Sequence, residues 1–510
     1  MYTRPYGIFR CAAFVLAARL VFAQLPGQTA PPAGSPQAIQ LPLSGRTPQN
    51  GSVGTTETPV PGQTTSVNTI NTSVQVQGAY QGSIPGKPEG LPGGKLGLRD
   101  AIQRGLAYNL GAVGFSTALR QARGQQRIAR SSLLPNLNGG LRETVLQEDL
   151  RALGVRAAFL PAVVGPFNYF DLRATLTQTV ADFTALNNYR SAQESVRATA
   201  MAARDARDLI VLAVGGAYLV VIAANARVHS AQAQIETAQA LFKQSSEQRQ
   251  VGVVAQIDVN RTQVELQMQQ QRMVSLQNDL AKQKINLARL VGLPPNDSYE
   301  LADDVPFGPA PDLTFEAGLK QAFENRADLQ QSEAALRAAE RARAAARAER
   351  LPSLAVSADY GAIGTNPAES HGTFTVTGTL RFPIWQGGRI EGDIQDAEAA
   401  LEQRRAELQD LRGRIEADVR SAFLDLKAAG SQLNVARSNQ QLARDTLTLT
   451  RQRFEVGISD AVEVTQSQES VAAAELDYIT SLFAYNVAKL ALARAIGHAE
   501  EHVGPFLNLR

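Results

Sequence analysis

The second half of this chain repeats the first, in the order helix, two strands, two long helices. Ala118-Leu119-Arg120 returns as Ala335-Leu336-Arg337, and Leu134-Pro135-Asn136-Leu137 as Leu351-Pro352-Ser353-Leu354. Farther on, Val251-Gly252-Val253 returns as Val456-Gly457-Ile458, and Leu287-Ala288-Arg289 as Leu492-Ala493-Arg494. Matches that keep their order over roughly 200 residues argue for internal duplication and a pseudo-symmetric protomer. The reading divides the chain into a first repeat over 96–305 and a second over 306–510.

Before Lys95 the composition changes. Arg4 and Arg10 precede a mostly apolar stretch from Cys11 to Phe22, and Val21-Phe22-Ala23 offers a cleavage site before Gln24. Residues 1–23 are therefore expected to be a signal peptide; for the alternative, a membrane anchor, the run is short. Cys11 is the only cysteine, and Ile8-Phe9-Arg10 before it is unlike a lipoprotein cleavage box. The mature chain is then expected to hold no thiol, which excludes disulfides and cysteine-ligated metals. Gln24 to Lys95 carries 11 of the 24 prolines and few charges, and is expected to be largely disordered because it cannot bury enough apolar surface. The alternating segment Ser73 to Tyr80 is the exception, able to lie against the folded body. Acids and bases nearly balance at a net charge of +2, so no basic field argues for nucleic acid.

Two segments alternate with the period of a strand. Phe170, Leu172, Ala174, Leu176 and Val180 interleave with Asp171, Arg173, Thr175, Thr177 and Thr179. Phe374, Val376, Leu380 and Phe382 interleave with Thr373, Thr375, Thr377, Thr379 and Arg381. A solvated sheet on a core shows such a pattern, but a threonine-rich face on strands of about ten residues also suits a membrane barrel with an aqueous lumen. Arg173, Thr175, Thr177, Thr375, Thr377 and Arg381 are the candidate lumen residues. Asn136–Leu150 and Leu354–Ala362 would supply two further strands, with poorer alternation. Four strands cannot close a barrel in lipid, so several protomers must contribute. Trp385, directly after a strand, is placed either as an interfacial aromatic or as a packing residue.

The helices are longer than a compact domain needs. Leu186–Arg249 and Gly388–Glu455 contain no proline, and each would extend roughly 95 to 100 Å at 1.5 Å per residue. The helices that follow carry a heptad: Val259, Leu266, Met273, Leu280 and Leu287 in one half, Val464, Val471, Tyr478, Tyr485 and Leu492 in the other. Ser467, Ala474, Ser481, Ala488 and Ala495 at intermediate positions would let neighbouring helices approach closely. Leu209–Ala224 is an apolar run, but its repeat partner Arg414–Ala429 is rich in charge, so burial against other helices is expected rather than a membrane span. Gly252 and Gly457 interrupt helical patterns where the chain must reverse. Asp258 and Glu463 follow them, and acids there also suit plain helix N-termini.

From Leu98 to Arg510 the chain resembles the TolC-type outer-membrane efflux protein family. Arg453-Phe454-Glu455-Val456-Gly457-Ile458, followed by Asp460 to Val464, is similar to that family's aromatic-x-x-Gly turn and acidic-Val step. Gln250-Val251-Gly252 and Ile257-Asp258-Val259 stand in register in the first half, and Phe382 to Arg389 resembles the strand-to-helix junction. The resemblance implies an α+β membrane protein: a homotrimer whose four strands per chain form a twelve-stranded barrel in the outer membrane of a Gram-negative-type bacterium. A long α-helical coiled-coil barrel would continue it through the periplasm. The implied function is a passive exit duct, without cofactor, for an inner-membrane transporter of RND, ABC or MFS type joined through a periplasmic adaptor. By the same match Asp258, Ser459, Glu463 and Gln466 fall near the periplasmic entrance, and Val251, Gly252, Val456 and Gly457 at the adaptor-docking turns. In the family member best matched, a basic residue stands where this chain has Ser459 and a second acid where it has Gln466, so a differently latched entrance is expected.

Two other readings compete. A periplasmic coiled-coil adaptor of an export system also has long helical hairpins, but usually one, flanked by glycine-rich β half-motifs. An enzyme would need chemistry that His229, His371, His498 and His502 do not supply, with no thiol, nucleophile elbow or phosphate loop beside them.

Overall fold

The computed structural model describes residues 51–61, 68–85, 94–152, 154, 161–294, 299–303, 308–310, 312–456, 458, 461–497 and 499–500. The expected signal peptide, with Cys11, lies outside them. A hairpin comes first, β1 (Ser52–Pro61) with β2 (Asn68–Gln77), then β3 (Lys95–Leu96), α1 (Leu98–Tyr108) and α2 (Leu110–Ser131). There follow β4 (Asn136–Asp149), β5 (Val163–Ala181), α3 (Phe183–Gln250) and α4 (Gln256–Val291). After β6 (Glu300–Leu301) the order recurs: α5 (Phe315–Asn325), α6 (Ala327–Ala348), β7 (Ser353–Gly364), β8 (His371–Arg381), α7 (Arg389–Glu455) and α8 (Ala461–Ala495). Two compact units result, and they cut across the sequence repeats. One, apart from residues outside the described set, comprises 131–188 and 342–395; the other comprises 41–130, 189–341 and 396–510.

The first unit is built on one antiparallel sheet in the order β4-β5-β7-β8. Leu172 of β5 faces Leu141 of β4 and Ala362 of β7, while Tyr360 of β7 faces Phe374 of β8. Strands of 11 to 19 residues are long, and both outer edges, β4 and β8, have no partner strand among the described residues.

The second unit is helical and has two main cores. In one, Ile210, Val211, Val214, Tyr218 and Val221 of α3 pack with Leu98 of α1, Leu287 and Val291 of α4 and Val487 of α8. In the other, Ile415, Val419, Leu426 and Leu433 of α7 pack with Ala322, Leu329, Leu482, Tyr485 and Leu492. Residues 481–490 of α8 are all buried because opposite sides of this helix enter different cores. The small heptad residues Ser467, Ala474, Ser481, Ala488 and Ala495 are buried as expected for closely approaching helices. So is the apolar run of α3, the one helix among the described residues long and apolar enough to cross a membrane.

Two features depart from the sequence expectation. The tract from 24 to 95 is not disordered throughout: β1 and β2 pair from Ser52↔Gln77 to Pro61↔Asn68. Val53, Val74 and Val76 of this hairpin lie on the first core, Tyr80 is 2% exposed, and a Cβ on Gly216 of α3 would come within 2.5 Å of Val74. The hairpin is thus ordered by the helices beneath it rather than by its own composition. The leading helix of each half is also broken, at Asn109 and at Arg326, both buried. Asn109 Nδ2 donates to Tyr80 O at 2.9 Å while its Oδ1 accepts from Gly111 N at 2.9 Å. Arg326 donates to both carboxylate oxygens of Asp328, at 3.1 and 2.7 Å, and to Asp418 at 3.1 Å. Neither break carries a proline, and Gly111 beside the first is inside α2 rather than at its boundary.

Candidate functional site

On the sheet, period-two registry sorts polar from apolar side chains. Asp171, Arg173, Thr175 and Thr177 of β5 share a face with Asn136, Asn138 and Arg142 of β4 and with Ser357 and Asp359 of β7. Thr373, Thr375, Thr377 and Arg381 of β8 complete it, so all six candidate lumen residues stand on one face. The other face carries Leu137, Leu141, Leu172, Leu176, Leu354, Val356, Phe374, Val376 and Leu380. Phe374 is 75% and Leu137 73% exposed, a wide apolar surface that no other described residue covers. Beyond β8, Phe382, Ile384 and Trp385 are exposed as well, Trp385 at 86%.

Arg173 anchors the polar face. Its Nε lies 3.2 Å from Asp171, its Nη1 pairs with Asp359 and its Nη2 donates to Thr373 Oγ1 at 3.2 Å. The residues opposite it on the adjoining strands are Gly140 and Gly361, which leave the guanidinium room to lie across the ladder. A Cβ on Gly361 would meet Leu172 O at 2.5 Å.

In the helical unit, the α3–α4 turn closes α3 with a pair of hydrogen bonds. Val253 N–H donates to Gln248 O at 2.9 Å and Gly252 N–H to Arg249 O at 3.1 Å, with Gly252 at φ +79. This is the left-handed glycine cap that the sequence suggested. At the end of α7, Ile458 N–H donates to Arg453 O at 2.9 Å; Gly457 and Ser459 lie outside the described residues. Val251, Val253, Ile257, Val456 and Ile458 are all more than half exposed at these turns. Behind the second turn, Phe454 packs with Leu241, Ala461 and Val464.

The acids sit in the first turns of α4 and α8, where a helix favours negative charge. Each has an arginine partner. Arg261, one turn along the same helix, lies 3.4 Å from Asp258, and Arg453, from the preceding helix, lies 3.1 Å from Glu463. Gln466 is exposed and its carbonyl accepts from Ser470 Oγ at 2.9 Å.

Sequence reasoning missed Asp359 as a partner of Arg173, because β7 is rich in alanine and glycine and its alternation is muted; Thr373 was read on the polar face of β8, but not its contact with Arg173. It missed Arg261 too, although a base three residues after an acid on a helix is a readable pair. The exposed Val253, Ile257 and Ile458 gave no signal beyond apolarity beside a turn.

Comparison with known proteins shows what the chain is similar to. The sequence matches the outer membrane efflux protein family over 116–293 and again over 318–498. It is 25% identical over 417 residues to the pyoverdine export outer membrane protein OpmQ of Pseudomonas putida, covering 78% of this chain and 84% of that one. To the outer membrane protein TolC of Escherichia coli it is 22% identical over 389 residues, covering 73% and 76%. Its fold is similar to that of the Campylobacter jejuni CmeC outer membrane channel, with TM-score 0.69 at 17% identity over 79% of this chain and 86% of that one. The Vibrio cholerae outer membrane protein VceC gives 0.69 at 18% identity, over 78% and 96%.

Proposed function

The chain belongs to the outer membrane efflux protein family, and from that membership we propose that it is the outer-membrane exit duct of a tripartite export system. The single observation that carries this reading is the two-faced sheet with unpartnered edges: apolar outside, threonine and charge inside, and too few strands to close. Three chains would pool twelve strands into one barrel, with Arg173, Thr175, Thr177, Thr375, Thr377 and Arg381 toward water and Trp385 near a lipid interface. Repeats over 96–305 and 306–510, following a signal peptide over 1–23, account for the recurrence of the element order.

The helical hairpins would line the periplasmic part of the duct. The exposed apolar turns at Val251, Gly252, Val456 and Gly457 suit docking by a periplasmic adaptor, and Asp258, Ser459, Glu463 and Gln466 would border the entrance. Asp258 pairs within its own helix, and Glu463 with Arg453 of the helix before it. These local pairs support an entrance latched within each hairpin. Energy would come from an inner-membrane transporter of RND, ABC or MFS type. The relatives are channel proteins, which points away from catalysis and from the adaptor alternative.

Single-channel recording of the purified protein in planar bilayers tests the duct. A measurable conductance that rises in Asp258→Ala is expected; a near-zero conductance unaffected by that substitution would count against the entrance assignment. Copurification with an adaptor, lost in Gly252→Pro or Gly457→Pro, tests the docking turns.

A further inference from the structure

Between the helices of the second unit lies a cavity of about 100 Å³, where polar side chains join Ala233, Leu447 and Val471 in a seam that is ordinarily apolar. Gln234 of α3, Glu265 and Gln269 of α4, and Gln468 and Glu475 of α8 face it. Glu475 is neutralised, since Arg444 reaches its Oε1 at 2.8 Å and Ser230 Oγ its Oε2. Glu265 is not. It is 4% exposed, accepts from Gln269 Nε2 at 2.7 Å, and has no ion pair with a described basic side chain. Gln269 and Gln468 are each 7% exposed. The side-chain oxygens of Gln234, Gln269 and Gln468, and the Gln468 amide nitrogen, have no protein partner.

Several buried oxygens without donors, beside a carboxylate without a counter-charge, are costly unless something neutralises and coordinates them. All the available donors are hard oxygens, and among the described residues no group of three or more His, Cys, Asp or Glu is placed to hold a metal ion, so a soft or transition metal is poorly served. One uncompensated carboxylate matches one positive charge. The geometry points to a site for a monovalent alkali cation, held by Glu265 and the side-chain carbonyls of Gln234, Gln269 and Gln468, with room for water to complete its shell. The ion fastens α3 and α4 to α8, roughly 20 Å along α4 from the Gly252 turn. The site stands independently of the export reading.

The test is thermal unfolding of the full-length protein in detergent, followed by its helical circular dichroism. Titration of NaCl or KCl is compared with N-methylglucamine chloride at equal ionic strength. The alkali salts are expected to raise the midpoint by several degrees and to saturate, Glu265→Gln to abolish the difference, and exposed Gln466→Ala to retain it. Should Glu265→Gln fail to fold, Gln468→Leu serves instead, with half-saturation moved about tenfold higher. Equal midpoints in all three salts, a saturable rise that survives Glu265→Gln (or is unmoved in Gln468→Leu), or a rise with Ca²⁺ or Mg²⁺ alone would overturn the assignment.

Discussion

Buried charge gives single residues of the helical unit their greatest leverage. Asp208 on α3 is 4% exposed and accepts from Glu500 N–H at 3.2 Å. Burial pushes its carboxyl from 3.8 up to about 6, against the opposing pull of Arg494. A raised acid means that the folded chain holds this proton more tightly than the unfolded one. The stabilisation is therefore complete below the unfolded value and is lost as pH rises through about 6. Asp208→Asn is expected to flatten stability between those values and to exceed the parent at neutral pH by about 2 kcal/mol, measured by urea unfolding across that range. Lys489 has the opposite sign. It is fully buried, donates to Gly308 O at 2.5 Å and stands 4.5 Å from the Tyr485 ring, and burial lowers it from 10.5 to about 8. Its contribution is present above the unfolded value and is lost as pH falls toward 8. Two substitutions separate charge from packing: Lys489→Met is expected to be neutral or stabilising by about 1 kcal/mol, and Lys489→Ala to cost about 2 to 3 kcal/mol, in the same unfolding measurement at neutral pH.

At the scale of elements, legibility followed how far a segment determines its own conformation. Strands β5 and β8 were readable because apolar and polar side chains alternate over most of Phe170–Val180 and Thr373–Arg381, and Gly252 because only a left-handed residue reverses the chain there. The β1–β2 hairpin was not readable: Pro59 and Pro61 in β1 argue against a ladder, and its order comes from Val53, Val74 and Val76 resting on helices far along the chain. The breaks at Asn109 and Arg326 likewise depend on acceptors and carboxylates that only the tertiary fold supplies. The same distinction separates two glycines. Nothing lies within 4 Å of a Cβ on Gly252, so Gly252→Ala meets only the cost of φ +79, about 1 kcal/mol, and is expected to fold. At Gly361 a Cβ would meet Leu172 O at 2.5 Å and Arg173 Cα at 2.9 Å, both backbone, so Gly361→Ala must part β5 from β7. Heat resistance of the assembly on unboiled gels is expected to survive the first change and to fall sharply with the second.

At the scale of the whole molecule, the proposed duct requires further chains to complete the sheet. Both edge strands lack a partner among the described residues and one face is mostly apolar, an arrangement that would promote aggregation in water. In lipid the same features become requirements: edges close on neighbouring subunits and the apolar face meets hydrocarbon. Adjacent residues of β8 then experience opposite environments. Phe374 and Val376 belong to the apolar face, Thr375 and Thr377 to the polar one. An acid on the lipid side costs up to roughly 2 kcal/mol near the bilayer centre, whereas one on the water side is nearly free. Four single substitutions to Asp along this strand should therefore alternate in outcome. Phe374→Asp and Val376→Asp are expected to deplete the protein from the outer-membrane fraction and to reduce the proposed trimer when light scattering in detergent is used to measure it. Thr375→Asp and Thr377→Asp should leave both unchanged while shifting ion selectivity toward cations in bilayer recordings. A soluble sheet packed on a core would also penalise the apolar positions, but it would yield no membrane-bound trimer and no selectivity change, so the alternating series distinguishes a pore wall from an ordinary sheet.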